Sequence, residues 1–188
     1  AKTVQQAKKL VGEDKVFALV APAGSSQNIA AKKYYEDVGI PVVMASTGTS
    51  AVVNPPNPVF FGTTTTNYSI EGKILLEYAA TKLNAKTISI IYQNDDFGKE
   101  GYEAIKENIV NYPGVELAAE IPYVAGDTDF SSHTQHIVKA DADVTIALAV
   151  PNAAANLKKE LYKHGYKDKP FIVSQLGAND KNQFNIAG

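Results

Sequence analysis

One segment, Val16-Phe-Ala-Leu-Val-Ala-Pro-Ala-Gly-Ser-Ser-Gln-Asn-Ile-Ala-Ala31, predicts a strand, a tight turn and a helix in succession. Its first five residues, Val16 to Val20, are an unbroken apolar run, which predicts a strand buried on both faces. Pro22 and Gly24 then end the run, because proline and glycine commonly terminate strands and helices. Ser25 and Ser26 are typical helix N-cap residues, and the apolar spacing after them predicts a helix.

This predicted turn from strand to helix is a candidate anion site. A helix N-terminus carries free backbone N–H groups and the positive end of the helix dipole, so it can hold a carboxylate without a charged side chain. The alternative is that Ser25 and Ser26 only cap the helix. The stretch by itself leaves both open, because such turns bind ligands in many α/β folds but not in all.

Composition narrows the class of protein. The chain has 188 residues, 45% of them hydrophobic and 20% charged, which predicts one globular domain or two small ones. The net charge is −2 with lysines and acids interleaved, so neither nucleic acid nor an anionic membrane is predicted as a partner. No apolar run approaches the ~20 residues of a transmembrane helix.

Two residue types are missing. Without cysteine, a disulfide framework, thiol catalysis and Cys-based zinc sites are excluded. Without arginine, all 18 basic residues are lysines, and a bidentate guanidinium clamp on an acid is impossible within this chain. Any acid-bearing ligand must therefore be held by backbone N–H groups, hydroxyls or lysine.

Motifs for catalysis or cofactors are not found. The sequence has no GxGxxG, Walker A or GxSxG pattern. His133 and His136 share a predicted helix face, but no HExxH pattern accompanies them, which favours exposed polar residues over a metal pair. We therefore predict no cofactor, no metal and no enzymatic activity.

Strands and helices alternate along the chain. This alternation predicts βαβ units and largely parallel sheets flanked by helices. On the helix predicted over 68–83, four side chains are expected to point inward, those of Ile70, Ile74, Tyr78 and Leu83. Predicted strands cover 16–20, 40–44, 59–61, 86–92, 115–124, 143–149 and 170–174, and predicted helices cover 2–11, 26–38, 68–83, 98–110, 130–139 and 152–164.

Small, hydroxyl-bearing or aromatic residues follow five of the predicted strands. Ligands bind at the carboxyl ends of the strands in parallel α/β sheets, so these residues predict a small-molecule site. The segments are Gly24-Ser25-Ser26, Thr47-Gly48-Thr49, Asp95-Asp96-Phe97, Pro151-Asn152 and Ser174-Gln175.

Three segments carry a resemblance to a known family. The chain resembles the Leu/Ile/Val-binding, amino-acid-type substrate-binding proteins of ABC transporters, which have the type I periplasmic binding fold. The likeness covers essentially all 188 residues, with Ala21 departing at a position where the family has glycine. The three segments are Leu10–Asn54, Ile88–Lys106 with the turn Asp95-Asp96-Phe97-Gly98, and Tyr123–Tyr166 with Gly126-Asp-Thr-Asp-Phe-Ser131.

The resemblance implies two α/β lobes joined by a hinge, with the ligand in the cleft between them. Residues 1–64 would be a partial N-terminal lobe and 65–188 most of the second lobe, so the chain is expected to be an internal fragment with one lobe incomplete. It also implies an extracytoplasmic protein, in the periplasm or at the cell surface, whose signal segment is absent from this chain. Its implied partner is the ABC transporter permease.

The resemblance also implies roles for residues of the first lobe. Ser25, between Gly24 and Ser26, matches the serine whose backbone and hydroxyl hold the ligand carboxylate. Thr47 and Thr49, on either side of Gly48, lie in the turn that grips the amino and carboxylate groups.

In the second lobe, Phe97 matches an aromatic residue that lines the cleft. Asn152 falls where the family often has tyrosine, and Gln175 falls near the acid that pairs with the ligand ammonium. A neutral amide pairs less strongly with an ammonium than a carboxylate does, which weakens the case for an α-amino acid.

The function predicted is therefore capture of a small carboxylate-bearing ligand, a branched-chain or related amino acid, for delivery to a permease. Two alternatives stay open. The first is an amino-acid or amide sensor domain of a regulatory system. The second is an enzyme on a flavodoxin-like fold, which would need a phosphate-binding loop and a catalytic dyad.

Overall fold

The structure is a computed structural model, and it describes residues 2–178, 181 and 185–186. The chain divides into two compact units, Ala1–Tyr68 and Ser69–Gly188. Each unit contains a parallel sheet with its own strand order.

The first unit is built on a three-stranded sheet of order β1-β2-β3. Leu19 of the first strand lies beside Val42 of the second, which in turn lies beside Phe60 of the third. Gly39 ends the second helix in the left-handed conformation, where a glycine is expected. The elements are α1 (Lys2–Lys8, continued by a π-helical turn Lys9–Glu13), β1 (Leu19–Val20), α2 (Ser25–Val38), β2 (Val42–Ala45), a 3₁₀ turn (Ser50–Val52) and β3 (Phe60–Thr63).

Only one face of this sheet packs into the core of the first unit. Leu19 is buried together with side chains of α1 and α2, whereas Val20 is 75% exposed and Phe17, just before the strand, is 89% exposed. The prediction of a strand over 16–20 buried on both faces is therefore wrong. Successive strand side chains point to opposite faces, and both helices that share this core pack on the same one.

The second unit is built on a four-stranded parallel sheet of order β5-β4-β6-β7. The predicted α/β alternation with parallel sheets is confirmed. In this unit the ends of the predicted elements lie within about two residues of those observed, when the π-helical turn is counted with α3. The elements are α3 (Tyr68–Glu77, which begins at the last residue of the first unit, continued by a π-helical turn Tyr78–Lys82), β4 (Thr87–Gln93), α4 (Asp96–Asn108, followed by a 3₁₀ turn Ile109–Asn111), β5 (Glu116–Tyr123), α5 (Ser131–Ala140), β6 (Val144–Leu148), α6 (Pro151–Lys163), β7 (Phe171–Val173) and α7 (Gln175–Ala178).

Helices cover both faces of the second sheet. Ile90 of β4 packs with α3 and α4, and the next residue, Ile91, packs with α5 and α6 on the opposite face. Every residue of β6 is buried, as expected for a strand covered on both sides. This arrangement leaves the carboxyl ends of the strands, and the turns after them, as the edge available for a ligand.

The inward direction predicted for one stripe of α3 is wrong. Ile70, Ile74 and Tyr78 are 53%, 55% and 48% exposed, whereas Leu76 and Ala79 are fully buried. Of the four residues predicted to point inward, Leu83 is half-buried and packs against the core. The reason lies in Gly72, whose Cα approaches α4 so closely that a Cβ there would come within 2.5 Å of the Gly101 carbonyl oxygen. The stripe of smaller side chains therefore faces the core, because it allows the two helices to pack closely.

Candidate ligand-binding site

The turn between β1 and α2 presents the N-terminus of a helix. Gly24 is the N-cap residue, so Ser25 and Ser26 are the first two residues of α2 and the N-cap prediction for them is wrong. Gly24 has a φ of 96°, and a Cβ there would lie 2.1 Å from Oε1 of Gln27. Because glycine has no side chain, the N-cap residue itself makes no side-chain hydrogen bond to the first turn of α2.

The turn after β2 packs against this helix N-terminus. The hydroxyl groups of Ser25 and Thr47 form a hydrogen bond of 2.9 Å. The backbone N–H of Thr49 donates to the same Thr47 oxygen at 3.1 Å. All three side chains are buried. The hydroxyls of Ser25 and Thr47 therefore hold the two turns together. The six site residues predicted in the first unit lie in these two adjacent turns.

Gly48 lies against the segment that follows β3. Its carbonyl oxygen accepts hydrogen bonds from the N–H of Tyr68 at 3.1 Å and from Nδ2 of Asn67 at 3.3 Å. A Cβ on Gly48 would lie 2.1 Å from the carbonyl oxygen of Thr66. Only glycine fits at this position without displacing backbone.

Asn28 is a positioning residue that sequence reasoning missed. Its Nδ2 donates to the carbonyl oxygens of Pro22 at 2.8 Å and of Gly24 at 2.7 Å, so the buried amide holds the turn before α2 from inside. An asparagine one turn into a predicted helix after a Pro-Gly turn is the only sequence signal for this role.

Phe97 lies buried in the first turn of α4 in the second unit. Asp95 is the N-cap residue, and its Oδ1 accepts from the N–H groups of Phe97 at 3.1 Å and Gly98 at 3.2 Å. A Cβ on Gly98 would lie 2.1 Å from the carbonyl oxygen of Gln93, so this turn is tightly constrained. Asp95 therefore caps the N-terminus of α4.

A buried polar chain links the carboxyl ends of three strands and was also missed from the sequence. Tyr123 at the end of β5 donates its hydroxyl proton to Oε1 of Gln93 at 3.2 Å and accepts from the N–H of Val150 at 3.3 Å. Gln93 donates in turn to Asp95 at 2.6 Å. Burial raises the pKa of the Tyr123 phenol well above its ordinary value, so it remains a hydrogen-bond donor.

Asn152 is exposed in the first turn of α6 and lines a depression of about 300 Å³ at the ends of β5 and β6. Neither Phe97 nor Gln175 is among the residues around it. Its described lining is Tyr123, Gly126, Asp127, Thr128, Val150, Asn152, Ala153, Asn156 and Ile186.

Gln175 is exposed at the start of α7, next to the end of β7. Its backbone N–H donates to Oε1 of Glu71, a buried acid of α3. Burial raises the pKa of the Glu71 carboxyl, and the hydrogen bond from Gln175 opposes this shift. Sequence reasoning missed Glu71, because an acid in the first turn of a helix ordinarily indicates only a favourable interaction with the helix dipole.

The described part of the chain contains no group of three or more His, Asp or Glu side chains that could hold a metal ion. His136 is exposed on α5, whereas His133 is half-buried and packs against the ring of Phe130 at a centroid distance of 5.4 Å. Among these same residues, no helix combines the length and apolar character needed to cross a membrane.

Three kinds of comparison relate this chain to known proteins. A sequence model of a family described as periplasmic binding protein matches residues 1–184. No curated protein sequence matches the chain significantly.

The chain is similar to several solved structures, and it spans about half the length of each. A leucine-binding protein from Thermotoga maritima has a TM-score of 0.86 and 17% identity, and the match covers 100% of this chain and 52% of that protein. The branched-chain amino acid transporter substrate-binding protein of Streptococcus pneumoniae was solved with isoleucine. It has a TM-score of 0.78 and 27% identity, and the match covers 92% of this chain and 48% of that protein. An ABC transporter solute-binding protein of R. palustris was solved with benzoate. It has a TM-score of 0.87 and 19% identity, and the match covers 98% of this chain and 50% of that protein.

The first and third of these likenesses concern the fold alone, because the identities are low. They agree with the observed parallel sheets, and together with the family match they confirm the type I fold that the resemblance implied. The chain belongs to the periplasmic binding protein family.

Proposed function

We propose that the protein captures a small carboxylate-bearing ligand, a branched-chain or related amino acid, outside the cytoplasm and delivers it to the permease of an ABC transporter. The ligand would bind between two lobes, formed in this chain by residues 1–64 and 65–188. The two compact units, which divide after Tyr68, support a lobe boundary in this part of the chain. The protein acts by binding and release, without catalysis and without a cofactor.

The observation that carries the proposal is the N-terminus of α2. Its N-cap is Gly24, which offers no side chain to the N–H groups of the first turn. A carboxylate placed there gains roughly 0.3–1 kcal/mol from the helix dipole. Each hydrogen bond from a backbone N–H to the charged group adds about 1.5–3 kcal/mol. A chain without arginine must hold an acid with groups of this kind or with lysine.

The hydroxyl pair of Ser25 and Thr47 supports the same role indirectly. It fixes the two turns relative to each other, so their backbone groups are positioned before the ligand arrives. Ligand contacts from the second lobe would then complete the site and favour closure by hinge motion. The residues proposed to contact the ligand are Gly24, Ser25, Ser26, Thr47, Gly48, Thr49, Phe97, Asn152 and Gln175.

A thermal-shift screen of the full-length protein tests this function. The panel contains the standard amino acids, their amides, benzoate and 4-hydroxybenzoate, each at a saturating concentration. A ligand at 100 times its Kd stabilises the folded state by about 2.7 kcal/mol, so we expect at least one carboxylate to raise Tm by several degrees. Calorimetric titration then gives its Kd.

Two results would contradict the proposal. The first is a panel in which no carboxylate raises Tm while an amide does. The second is chemical conversion of the ligand: after prolonged incubation, chromatography should recover the added compound unchanged, and a new product would indicate an enzyme.

A further inference from the structure

Three residues of the first unit have a left-handed backbone at the same position of neighbouring strands. Ala21 follows β1 with a φ of 50°, Met44 lies in β2 with a φ of 52°, and Gly62 lies in β3 with a φ of 80°. The residues just before them are paired across the strands, so the three left-handed residues form a row across the sheet of this unit. We call this row of Ala21, Met44 and Gly62 the crease.

The crease changes which side chains face the core. In a regular strand, successive side chains alternate between the two faces of the sheet. In β2, Val42 and Ala45 lie three residues apart and are both fully buried, whereas Met44 between them is 45% exposed. The neighbouring strands also have two exposed residues in succession, Val20-Ala21 and Phe61-Gly62. Each left-handed residue therefore shifts the alternation by one position.

Backbone hydrogen bonds between the strands continue on both sides of the crease. Before it, the N–H of Ala21 donates to the carbonyl oxygen of Val43 at 2.9 Å. Beyond it, the N–H of Ser46 donates to the carbonyl oxygen of Pro22 at 3.0 Å, and the N–H of Gly24 donates to that of Ser46 at 3.1 Å. An irregularity in one strand alone disrupts the ladder, whereas three in register preserve it. The strands therefore turn together, and the turns that follow β1 and β2 stay joined.

The shift determines the side of the sheet on which Thr47 lies. Regular alternation from the buried Val42 would place Ala45 and Thr47 on the opposite, exposed face. With the left-handed residue Met44 between them, Ala45 and Thr47 are instead fully buried. There the hydroxyl of Thr47 meets that of Ser25 at 2.9 Å. The contact that joins the two turns of the candidate site thus depends on the crease.

A left-handed backbone is unfavourable for alanine and methionine, because Cβ comes too close to the following carbonyl oxygen. Such residues persist where the surrounding structure imposes the conformation, and they concentrate at functional sites. We propose that Met44, together with Ala21 and Gly62, is a positioning residue of the binding site. The crease directs Thr47 toward Ser25 and so orders the two turns before a ligand arrives. The part of this inference that concerns the ligand rests on the proposed function.

Met44→Val tests the crease, because a β-branched residue strongly disfavours a positive φ. The N–H of Thr49 donates to the Thr47 hydroxyl, so its hydrogen exchange reports the position of that side chain. In the ligand-free full-length protein we expect this exchange to become roughly tenfold faster, as for loss of one hydrogen bond. Calorimetric titration with isoleucine should show a similar loss of affinity, because the ligand must then order the turn itself. Met44→Asn should restore both, since asparagine tolerates the left-handed region.

Gly39→Val is the matched control. Gly39 ends α2 with a φ of 68°, and nothing lies within 4 Å of a Cβ there, so valine adds the same kind of backbone strain away from the crease. We expect Met44→Val and Gly39→Val both to unfold at lower urea concentration than the wild type. Only Met44→Val should change the exchange of the Thr49 N–H and the affinity for isoleucine. If Met44→Val does not fold, Gly62→Ala and Gly39→Ala make the same comparison with a smaller side chain.

The outcomes separate this inference from the proposed function. Equal Thr49 exchange and equal isoleucine affinity in Met44→Val and Gly39→Val would overturn the positioning role and leave the crease as a structural bend only. Faster Thr49 exchange with unchanged affinity would overturn the role of the crease in binding. If the wild-type protein binds no carboxylate, the proposed function fails, and hydrogen exchange at Thr49 still decides whether Met44 positions Thr47.

Discussion

Ser25 and Thr47 join two turns through one hydrogen bond between their hydroxyl groups, across 22 residues of sequence. Ser25→Ala should lower the free energy of unfolding of the ligand-free protein by about 1 kcal/mol, because the buried Thr47 hydroxyl loses a partner. We also expect weaker ligand binding, since the turn is no longer held. Urea unfolding and calorimetric titration measure the two effects.

Ser132→Ala is the control for this variant, because Ser132 is an exposed serine in the first turn of α5. Its unfolding free energy should change little. If Ser25→Ala keeps its unfolding free energy but binds the ligand more weakly, the Ser25 hydroxyl contributes through a contact with the ligand rather than through its hydrogen bond to Thr47.

The pKa of the Glu71 carboxyl lies above its ordinary value of 4.5, because burial disfavours the charged form. The folded state therefore holds this proton more tightly than the unfolded state does. The stability that this gives is fully present below pH 4.5 and is lost as pH rises through the raised pKa of the folded state. Relative to Glu71→Gln, the ligand-free wild type should lose unfolding free energy over this range, as measured by urea unfolding at several pH values.

Glu77→Gln should show no such dependence relative to the wild type, since Glu77 is exposed. A difference between wild type and Glu71→Gln that stays constant with pH would contradict the raised pKa.

At the scale of elements, the turn after β2 depends on close contact between backbones. Gly48→Ala would place a Cβ 2.1 Å from the Thr66 carbonyl oxygen, which cannot move without displacing the segment before α3. Overpacking of this kind costs about 1–3 kcal/mol, so we expect a loss of unfolding free energy in that range together with weaker ligand binding.

Gly12→Ala is the matched control, because nothing lies within 4 Å of a Cβ at Gly12. Its stability should stay the same or rise slightly, since alanine favours a helical backbone more than glycine does. Equal losses for both glycine variants would mean that backbone freedom, rather than the contact with Thr66, is what position 48 requires.

Helix α3 shows why amphipathic spacing alone did not identify its buried face. The helix carries two stripes at helical spacing, one with Ile70 and Ile74 and the other with Gly72 and Leu76. Hydrophobicity favours the first stripe, but the second is buried because Gly72 allows α4 to approach. Packing density, rather than hydrophobicity of single residues, decided between them.

At the scale of the whole molecule, the two units differ in how their sheets are covered. The second unit has helices on both faces of its sheet, as a βαβ series predicts. The first unit leaves Phe17, Val20, Met44 and Phe61 exposed on and beside its strands. The chain spans about half the length of its solved relatives, so the function of the whole protein is tested on the full-length protein.

The sequence by itself determined the order and type of the elements and the chemistry open to a site. Strand and helix periods are local properties, so β4, α4, β6 and α6 could be placed from short windows of sequence. The lack of arginine and cysteine likewise follows from composition and excludes whole classes of site.

Only the tertiary structure decided which groups meet. The contacts of Ser25 with Thr47 and of Glu71 with Gln175 join residues 22 and 104 positions apart, and no local pattern encodes them. Gly24 rather than Ser25 caps α2 because the chain enters the helix at a positive φ. Glu71 was missed for the same physical reason: its burial and its contact with Gln175 arise from tertiary packing, not from its neighbours in sequence.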